Sequence, residues 1–159
     1  MSSMKNAPNL DRREMEKILL EEDTGCLCLS MNDEPYGVPL SYAWIDGAVM
    51  FHCAPEGRKL DILRANPAVC FVVSRNADRS RPHTAEGDCT FRFESVQCFG
   101  KARIIDPLPE RLELLKKFKR HFDDRLGLDP AKNPVTESAA AKCGCVVITV
   151  ERMSGRRKE

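Results

Sequence analysis

The most constraining feature of this chain is a strand that runs directly into a glycine and a cationic helix start, within residues 49–61. The glycine is Gly57, and Arg58 and Lys59 follow it. The first turn of a helix has free backbone N–H groups and a partial positive charge, to which two cations add full charges. The pattern predicts a phosphate site at the start of a short helix over 57–65. The alternative is a solvated surface helix, although cations are mildly unfavourable in a first turn.

The segment just before it, residues 36–45, reads as a strand with one bulky and one nearly bare face. Side chains alternate across a strand, so even and odd positions lie on opposite faces. A bare face beside a phosphate site suits a flat phosphorylated cofactor such as a flavin nucleotide, because backbone can approach the ring closely. The bulky positions are Tyr36, Val38, Leu40, Tyr42 and Trp44, and the bare ones are Gly37, Pro39, Ser41 and Ala43.

Length and charge limit the classes of protein to consider. A chain of 159 residues predicts a single domain over 1–159, with a flexible tail over 1–10, a mobile loop over 75–88 and a linker over 129–141. With 25 basic and 24 acidic residues there is no overall electrostatic reason to expect nucleic acid or an anionic membrane. No apolar run approaches the roughly 20 residues of a membrane span, and the first residues are too charged for a signal peptide. We therefore expect a cytoplasmic protein.

Eight cysteines raise the question of a metal or disulfide scaffold. None of them occurs in a CxxC pair, and the two closest pairs, 26–28 and 143–145, have strand spacing, which only puts two thiols on one face. Free thiols in a reduced compartment behave as small apolar residues. We expect buried free cysteines and no metal, with a zinc or iron-sulfur site as the minority alternative.

The coarse pattern of elements predicts a mostly β fold with flanking helices. About six mostly antiparallel strands, interrupted by three helices, indicate a small β-barrel. The long strand over 90–105 changes phase near Glu94 and Ser95, which predicts a bulge there. A helix is expected from about 107 to 122, and a last strand over 143–150 should precede a basic tail.

His52 and Ser95 are the polar candidates beside the predicted phosphate site. The His52 imidazole could donate to a flavin, bind an anionic substrate or ligate haem iron, whereas a lone strand histidine is more often satisfied by the backbone. Ser95 could give a hydroxyl to a phosphate or a ring carbonyl, or serve its own backbone in a bulge. Glu94 and Arg92 fit an exposed pair on one strand face. Nucleophile-elbow, P-loop and Rossmann motifs are absent from the sequence.

At these residues the chain resembles the FMN-binding split-barrel superfamily that includes pyridoxamine 5'-phosphate oxidase. It is most similar to the branch related to the Nim-type 5-nitroimidazole-resistance proteins. The resemblance covers most of the chain in the family's order, and the block that is specific by itself runs from His52 to Asp61. The matching blocks are 36–42, 51–61, 66–69, 94–96 with 99–102, and 153–155 before basic residues.

The resemblance implies a six-stranded antiparallel split β-barrel and a homodimer, with one FMN in each of two clefts at the subunit interface. His52 would face the substrate side of the ring and is the tentative catalytic residue. Arg58 stands where many relatives have His or Lys, which keeps the charge. The implied cofactor-binding residues are Val38, Pro39, Leu40, Ser41, Phe51, His52, Cys53, Arg58, Lys59, Ser95 and Val96.

Three functions compete at this stage. The first is an FMN-dependent oxidoreductase that passes electrons from a reduced nicotinamide to a small aromatic or nitroaromatic acceptor, with the chemistry carried by the cofactor. The second is a non-catalytic flavin-binding module. The third is haem binding through His52, His83 or His121. A cation pair at a helix start suits a compact phosphate better than it suits haem propionates.

Overall fold

The computed structural model describes residues 9–76 and 92–158. Within them, four helices flank seven strands. The helices are α1 (Arg12–Glu21), α2 (Arg58–Ala65), α3 (Leu108–Leu126) and α4 (Glu137–Ala141). The strands are β1 (Thr24–Met31), β2 (Glu34–Ser41), β3 (Ala43–Ile45), β4 (Ala48–Cys53), β5 (Ala68–Arg75), β6 (Phe93–Ile104) and β7 (Gly144–Lys158).

The seven strands form one antiparallel sheet in the order β2-β1-β5-β6-β7-β4-β3. Its two edge strands, β2 and β3, are consecutive in the chain and are separated only by Tyr42. The segment predicted as one strand over 36–45 therefore changes partner at Tyr42, pairing with β1 before it and with β4 after it. The predicted split barrel is confirmed, and this exchange of partners accounts for seven strands instead of six.

Tyr42 is held firmly at this exchange. Its backbone N–H donates to Asp23 O at 3.0 Å, and its hydroxyl donates to Leu19 O at 2.9 Å. The ring is fully buried and meets Phe71 edge to face, with 4.9 Å between ring centroids. Burial raises the pKa of the Tyr42 hydroxyl, which keeps this donor protonated.

The core fills the inside of the curved sheet and is closed at its ends by α1 and α2. Strand residues of alternating parity point inward, as their period of two requires. The helices contribute an apolar stripe each, three residues of α1 and three of α2. These are Met15, Ile18 and Leu19 of α1 and Leu60, Ile62 and Leu63 of α2.

The sequence predicts that Asp11 caps the first helix and that Asp46-Gly47 forms a tight hairpin turn, and both predictions are confirmed. Asp11 caps α1, its carboxylate accepting from Glu14 N at 2.9 Å while the Glu14 carboxylate accepts from Asp11 N at 2.9 Å. Asp46 and Gly47 both have positive φ, at 53° and 76°, and join β3 to β4 in a tight turn. Such turns favour Asp-Gly because only Gly and a few polar residues tolerate positive φ.

The predicted bulge near Glu94 and Ser95 is wrong. The register of β6 against β7 shifts between Phe99 and Gly100 instead, opposite residue 151. A Cβ at Gly100 would lie 1.9 Å from Thr149 O, so only glycine permits this close approach. The apparent change of phase came from Phe93, which lies on the outer face of β6 and not in the core.

Three predicted unstructured segments also need correction. Residues 137–141 of the predicted linker form α4, capped by the Thr136 hydroxyl, which accepts from Ala139 N at 3.1 Å. The expected basic tail continues β7 and pairs with β6 to Lys158. In the expected flexible tail, Leu10 is buried, while residues 1–8 and 77–88 lie outside the described residues.

Two negative findings hold for the part of the chain that the structure describes. No helix there is long and apolar enough to cross a membrane. The cysteines there are free thiols, and no group of three or more His, Cys, Asp or Glu side chains is placed to hold a metal ion.

Candidate cofactor site

The start of α2 has the backbone geometry that the sequence predicted for an anion site. Gly57 takes a φ of 134°, which L side chains rarely adopt, and the chain turns there from β4 into the helix. Gly57 O accepts from Leu60 N at 2.9 Å and from Asp61 N at 3.2 Å. No side chain caps the helix, so the Arg58 and Lys59 N–H groups have no protein partner within residues 9–76 and 92–158.

The Arg58 side chain is exposed and makes two contacts with side chains of β2. Its Nη2 lies 2.5 Å from Glu34 Oε1, and its guanidinium lies 4.9 Å from the centre of the Tyr36 ring. The two charged side chains are 54% and 68% exposed, so water screens their attraction. The contact joins the start of α2 to the first residues of β2, through side chains on the bulky face of that strand.

Lys59 is half-buried and makes no ion pair with the described part of the chain. It lies near Cys53, the last residue of β4. Burial raises the pKa of the Cys53 thiol and the Lys59 ammonium opposes that rise. The Lys59 ammonium has no ion-pair partner there and lies beside helix N–H groups that are free, which is the arrangement that binds a phosphate.

Strand β2 presents the predicted contrast between its faces. Pro39 and Ser41 are exposed, as is Gly37, whereas Val38 and Leu40 are half-buried and pack against the core. The Val38 and Leu40 side chains therefore face away from the bare side. Any contact they make with a ring on that side must come from their backbone.

Strand β4 divides its predicted site residues between inside and outside. Phe51 is fully buried in the core, so its side chain cannot reach a cofactor. His52 points outward and its ring meets Phe118 of α3 edge to face, with 4.9 Å between centroids. Partial burial lowers the pKa of His52, which favours the neutral imidazole. His52 also lines a mainly apolar cleft under α3 and α4.

Strand β6 also carries one outward and one inward candidate. Ser95 is half-buried on the outer face, opposite Ser74 of β5 and Arg156 of β7. Val96 is fully buried in the core. No hydrogen bond or ion pair within the described ranges joins Ser95 to Arg58 or Lys59. The structure thus brings Arg58 to β2 and Lys59 to the end of β4, and it leaves Ser95 on β6.

Glu94 differs from its prediction as an exposed partner of Arg92. It is only 6% exposed, and Arg75 and Arg157 hold its two oxygens at 2.6 and 2.7 Å. Burial alone would raise the pKa of Glu94, but the hydrogen bonds and charges of both arginines outweigh it and hold the pKa low. The pairing of β5, β6 and β7 creates this site, and the three residues are too far apart in sequence to signal it.

Comparison with known proteins identifies the family. The family model described as pyridoxamine 5'-phosphate oxidase matches residues 11–157. The chain belongs to this family. No curated protein matches the sequence.

Solved structures share the fold over nearly the whole chain. A candidate 5-nitroimidazole antibiotic resistance protein from Bacteroides thetaiotaomicron is 23% identical, with a TM-score of 0.73 over 96% of this chain and 90% of that one. An FAD-binding protein from Mesorhizobium loti is 25% identical, with a TM-score of 0.66 over 94% and 96%. An FAD and haem binding protein from Mycobacterium smegmatis is 14% identical, with a TM-score of 0.76 over 95% and 73%. The first and third likenesses show the fold alone.

Proposed function

We propose that this protein binds FMN and passes electrons from a reduced nicotinamide to a small aromatic or nitroaromatic acceptor. The observation that carries the proposal is the start of α2, where Arg58 and Lys59 are adjacent, two backbone N–H groups are free, and Lys59 makes no ion pair within residues 9–76 and 92–158. A phosphate monoester matches these donors in charge and size. Family membership over residues 11–157 supports a phosphorylated cofactor at this place.

The bare side of β2 fits the flat part of such a cofactor. Pro39, Ser41 and Gly37 offer no bulky side chain there. Names of structural relatives add weight to a flavin, since proteins of this fold from Mesorhizobium loti and Mycobacterium smegmatis are flavin-binding.

Bound FMN would supply the hydride and electron chemistry, and this chain would bind, orient and shield it. Arg58 and Lys59 would hold the phosphate. His52, neutral because burial lowers its pKa, would donate or accept one hydrogen bond at the ring or the acceptor. Ser95 and the backbone at Cys53 are the remaining contacts inferred from the family pattern.

We also propose a homodimer, with the cofactor at the subunit interface. The outer faces of the central strands carry apolar side chains that no helix or strand of the described residues covers fully. A second copy of the chain would bury them, as is usual for patches of this kind. They are Cys26 and Cys28 of β1, Cys70 and Val72 of β5 and Phe99 of β6. A dimer mass in light scattering, reduced to a monomer by Val72→Asp, is the expected result.

One visible spectrum tests the cofactor proposal. The purified protein, or the protein after incubation with FMN and gel filtration, should show flavin absorbance that bleaches anaerobically with NADH or NADPH. A colourless protein that takes up no FMN would refute the proposal. Bound flavin that no reduced nicotinamide can bleach would favour a non-catalytic flavin-binding module instead.

Haem binding is the second candidate, favoured by the outward, neutral His52 beside an apolar cleft. It predicts a Soret band after incubation with haem, and loss of that band in His52→Ala. The phosphate donors at α2 would have no role in this alternative, so Lys59→Ala should leave the Soret band unchanged.

A further inference from the structure

A cleft of about 460 Å³ lies between β4, α3, α4 and the segment before α4. Its size lies in the range of small-molecule sites, about 300 to 1,000 Å³. The walls are mainly hydrophobic, and they do not include Gly57, Arg58 or Lys59. The cleft is therefore a separate place from the phosphate donors.

Aromatic rings form one wall of the cleft. Phe118 and Phe122 lie one turn apart on α3, with 4.9 Å between their ring centroids and a tilt of 46°. The His52 ring meets Phe118 edge to face at the β4 side. Aromatic side chains prefer such offset or edge contacts with other rings, so a planar aromatic ligand is the best match for this wall. Ala139 of α4 and Val135 line it opposite, with little bulk.

The charged residues of the cleft cancel each other. Lys119 and Asp123, one turn apart on α3, form an ion pair, and Asp123 is only 6% exposed. An ion entering the cleft would have to disrupt this pair or remain without a counter-charge, which is unfavourable in an apolar site. His52 is neutral because burial lowers its pKa, so it offers hydrogen bonding without charge. The cleft thus favours neutral ligands over anions and cations.

We propose that this cleft binds a small, neutral, planar aromatic molecule, packed against Phe118 and Phe122 and hydrogen-bonded to His52. Binding requires only the fold and not the flavin. We further propose that the bound molecule is the electron acceptor, and this part of the inference rests on the proposed function.

The test is a titration of flavin-free protein with N-phenyl-1-naphthylamine, a neutral aromatic probe that fluoresces when it leaves water. Saturable binding of one probe per chain is expected. Ala139→Phe fills the cleft and should weaken binding at least tenfold. The matched control is Ala141→Phe, an equal enlargement on the same helix outside the cleft, which should leave affinity unchanged. Ala139→Leu, a smaller enlargement, replaces Ala139→Phe if that variant fails to fold.

Competition tests the preference for neutral ligands. The neutral 2-naphthol should displace the probe at a concentration at least tenfold lower than 2-naphthalenesulfonate, which has the same rings and a negative charge. His52→Leu should reduce this advantage of the hydroxyl compound. Equal displacement by the sulfonate, absence of saturable binding, or equal effects of Ala139→Phe and Ala141→Phe would overturn the inference.

Titration with FMN separates this inference from the proposed function. Probe binding without any FMN binding refutes only the proposed function. FMN binding without probe binding refutes only the cleft. Competitive displacement of the probe by FMN would show that the cleft holds the flavin ring itself, and it would overturn the proposal of a separate ligand.

Discussion

Glu94 and Glu34 both form ion pairs with arginine, but the Glu94 pairs are buried and the Glu34 pair is exposed. Glu94 is buried on β6 between Arg75 and Arg157, which come from the strands on either side. Glu34 is exposed at the start of β2, and its one ion pair among residues 9–76 and 92–158 is with Arg58. A buried charge depends on its partners, because no water replaces them, whereas an exposed pair contributes little. The first arrangement stabilises the sheet, and the second leaves its arginine available to a ligand.

This contrast separates structural from functional cations. Arg157 also reaches Glu14 of α1 at 2.8 Å, and Arg75 also reaches Glu21 at 2.7 Å, so the Glu94 cluster ties the first helix to three strands. Arg58 is tied to one exposed carboxylate, and its neighbour Lys59 to none in the described ranges. The cations at α2 are therefore the ones that a phosphate can recruit at small cost.

The largest expected effect is on the buried side of the comparison. Glu94→Gln should lower the free energy of unfolding by about 3 to 5 kcal/mol, because two arginines lose their common counter-charge in a buried site. Urea unfolding followed by circular dichroism measures it. Glu34→Gln is the matched control and should change the same quantity by less than about 1 kcal/mol. Similar losses in both variants would contradict the distinction.

On the exposed side, replacing both Arg58 and Lys59 with Ala should weaken FMN binding by about 2 to 4 kcal/mol, given the strength of charge-assisted hydrogen bonds. Quenching of flavin fluorescence on titration gives the affinity. Arg64→Ala removes a cation from the last turn of the same helix, where Arg64 pairs with Asp61 at 3.0 Å, and should leave FMN affinity unchanged. Equal losses of FMN affinity in the double variant and in Arg64→Ala would show that the effect comes from net charge alone.

Acidic pH should reduce the difference in the free energy of unfolding between the natural protein and Glu94→Gln. The pKa of Glu94 is held below its ordinary value of 4.5. A depressed carboxyl pKa contributes stability that is complete above the ordinary value and is lost as the pH falls through the folded-state value. The gap in unfolding free energy between the natural protein and Glu94→Gln should thus stay constant from pH 7 to about pH 4.5 and shrink as the pH falls further. A gap that does not change below about pH 4.5 would show that Glu94 is not ionised in the fold.

The smallest expected effect is a change of FMN affinity when Glu34 is replaced. Glu34→Gln frees Arg58 from its competing carboxylate, so FMN affinity should rise by up to about 1 kcal/mol, the range of exposed ion pairs. Isothermal titration calorimetry at low and moderate salt measures the change. Asp61→Asn, which frees Arg64 on the same helix instead, serves as the control. Weaker FMN binding in Glu34→Gln would mean that Glu34 positions Arg58 and does not compete for it.

Local signals in the sequence were reliable where a few neighbouring residues decide the structure. The Asp11 cap, the Asp46-Gly47 turn and the helix after Gly57 all follow from the chemistry of adjacent residues, and all are present. The bare and bulky faces of β2 follow from alternation alone. The bulge was misplaced because it depends on the close approach of Gly100 to β7, a contact between distant parts of the chain.

The residues missed at the candidate sites share one cause. Phe118 and Phe122 are spaced by four and share one face of α3, but nothing in their spacing shows that His52 and α4 complete a cleft around them. Glu94 looked exposed because its arginine partners are 19 and 63 residues away in sequence. Pattern alone cannot show which strands will be neighbours.

The sequence by itself determined most elements of this protein, the phosphate-type helix start and the family pattern, because each depends on backbone propensities and spacing within a short segment. Only the tertiary structure decided which charges are available. Arg58 and Arg75 are chemically identical, and the burial of their carboxylate partners, which depends on strand pairing across the sheet, gives one a ligand-binding potential and the other a structural role.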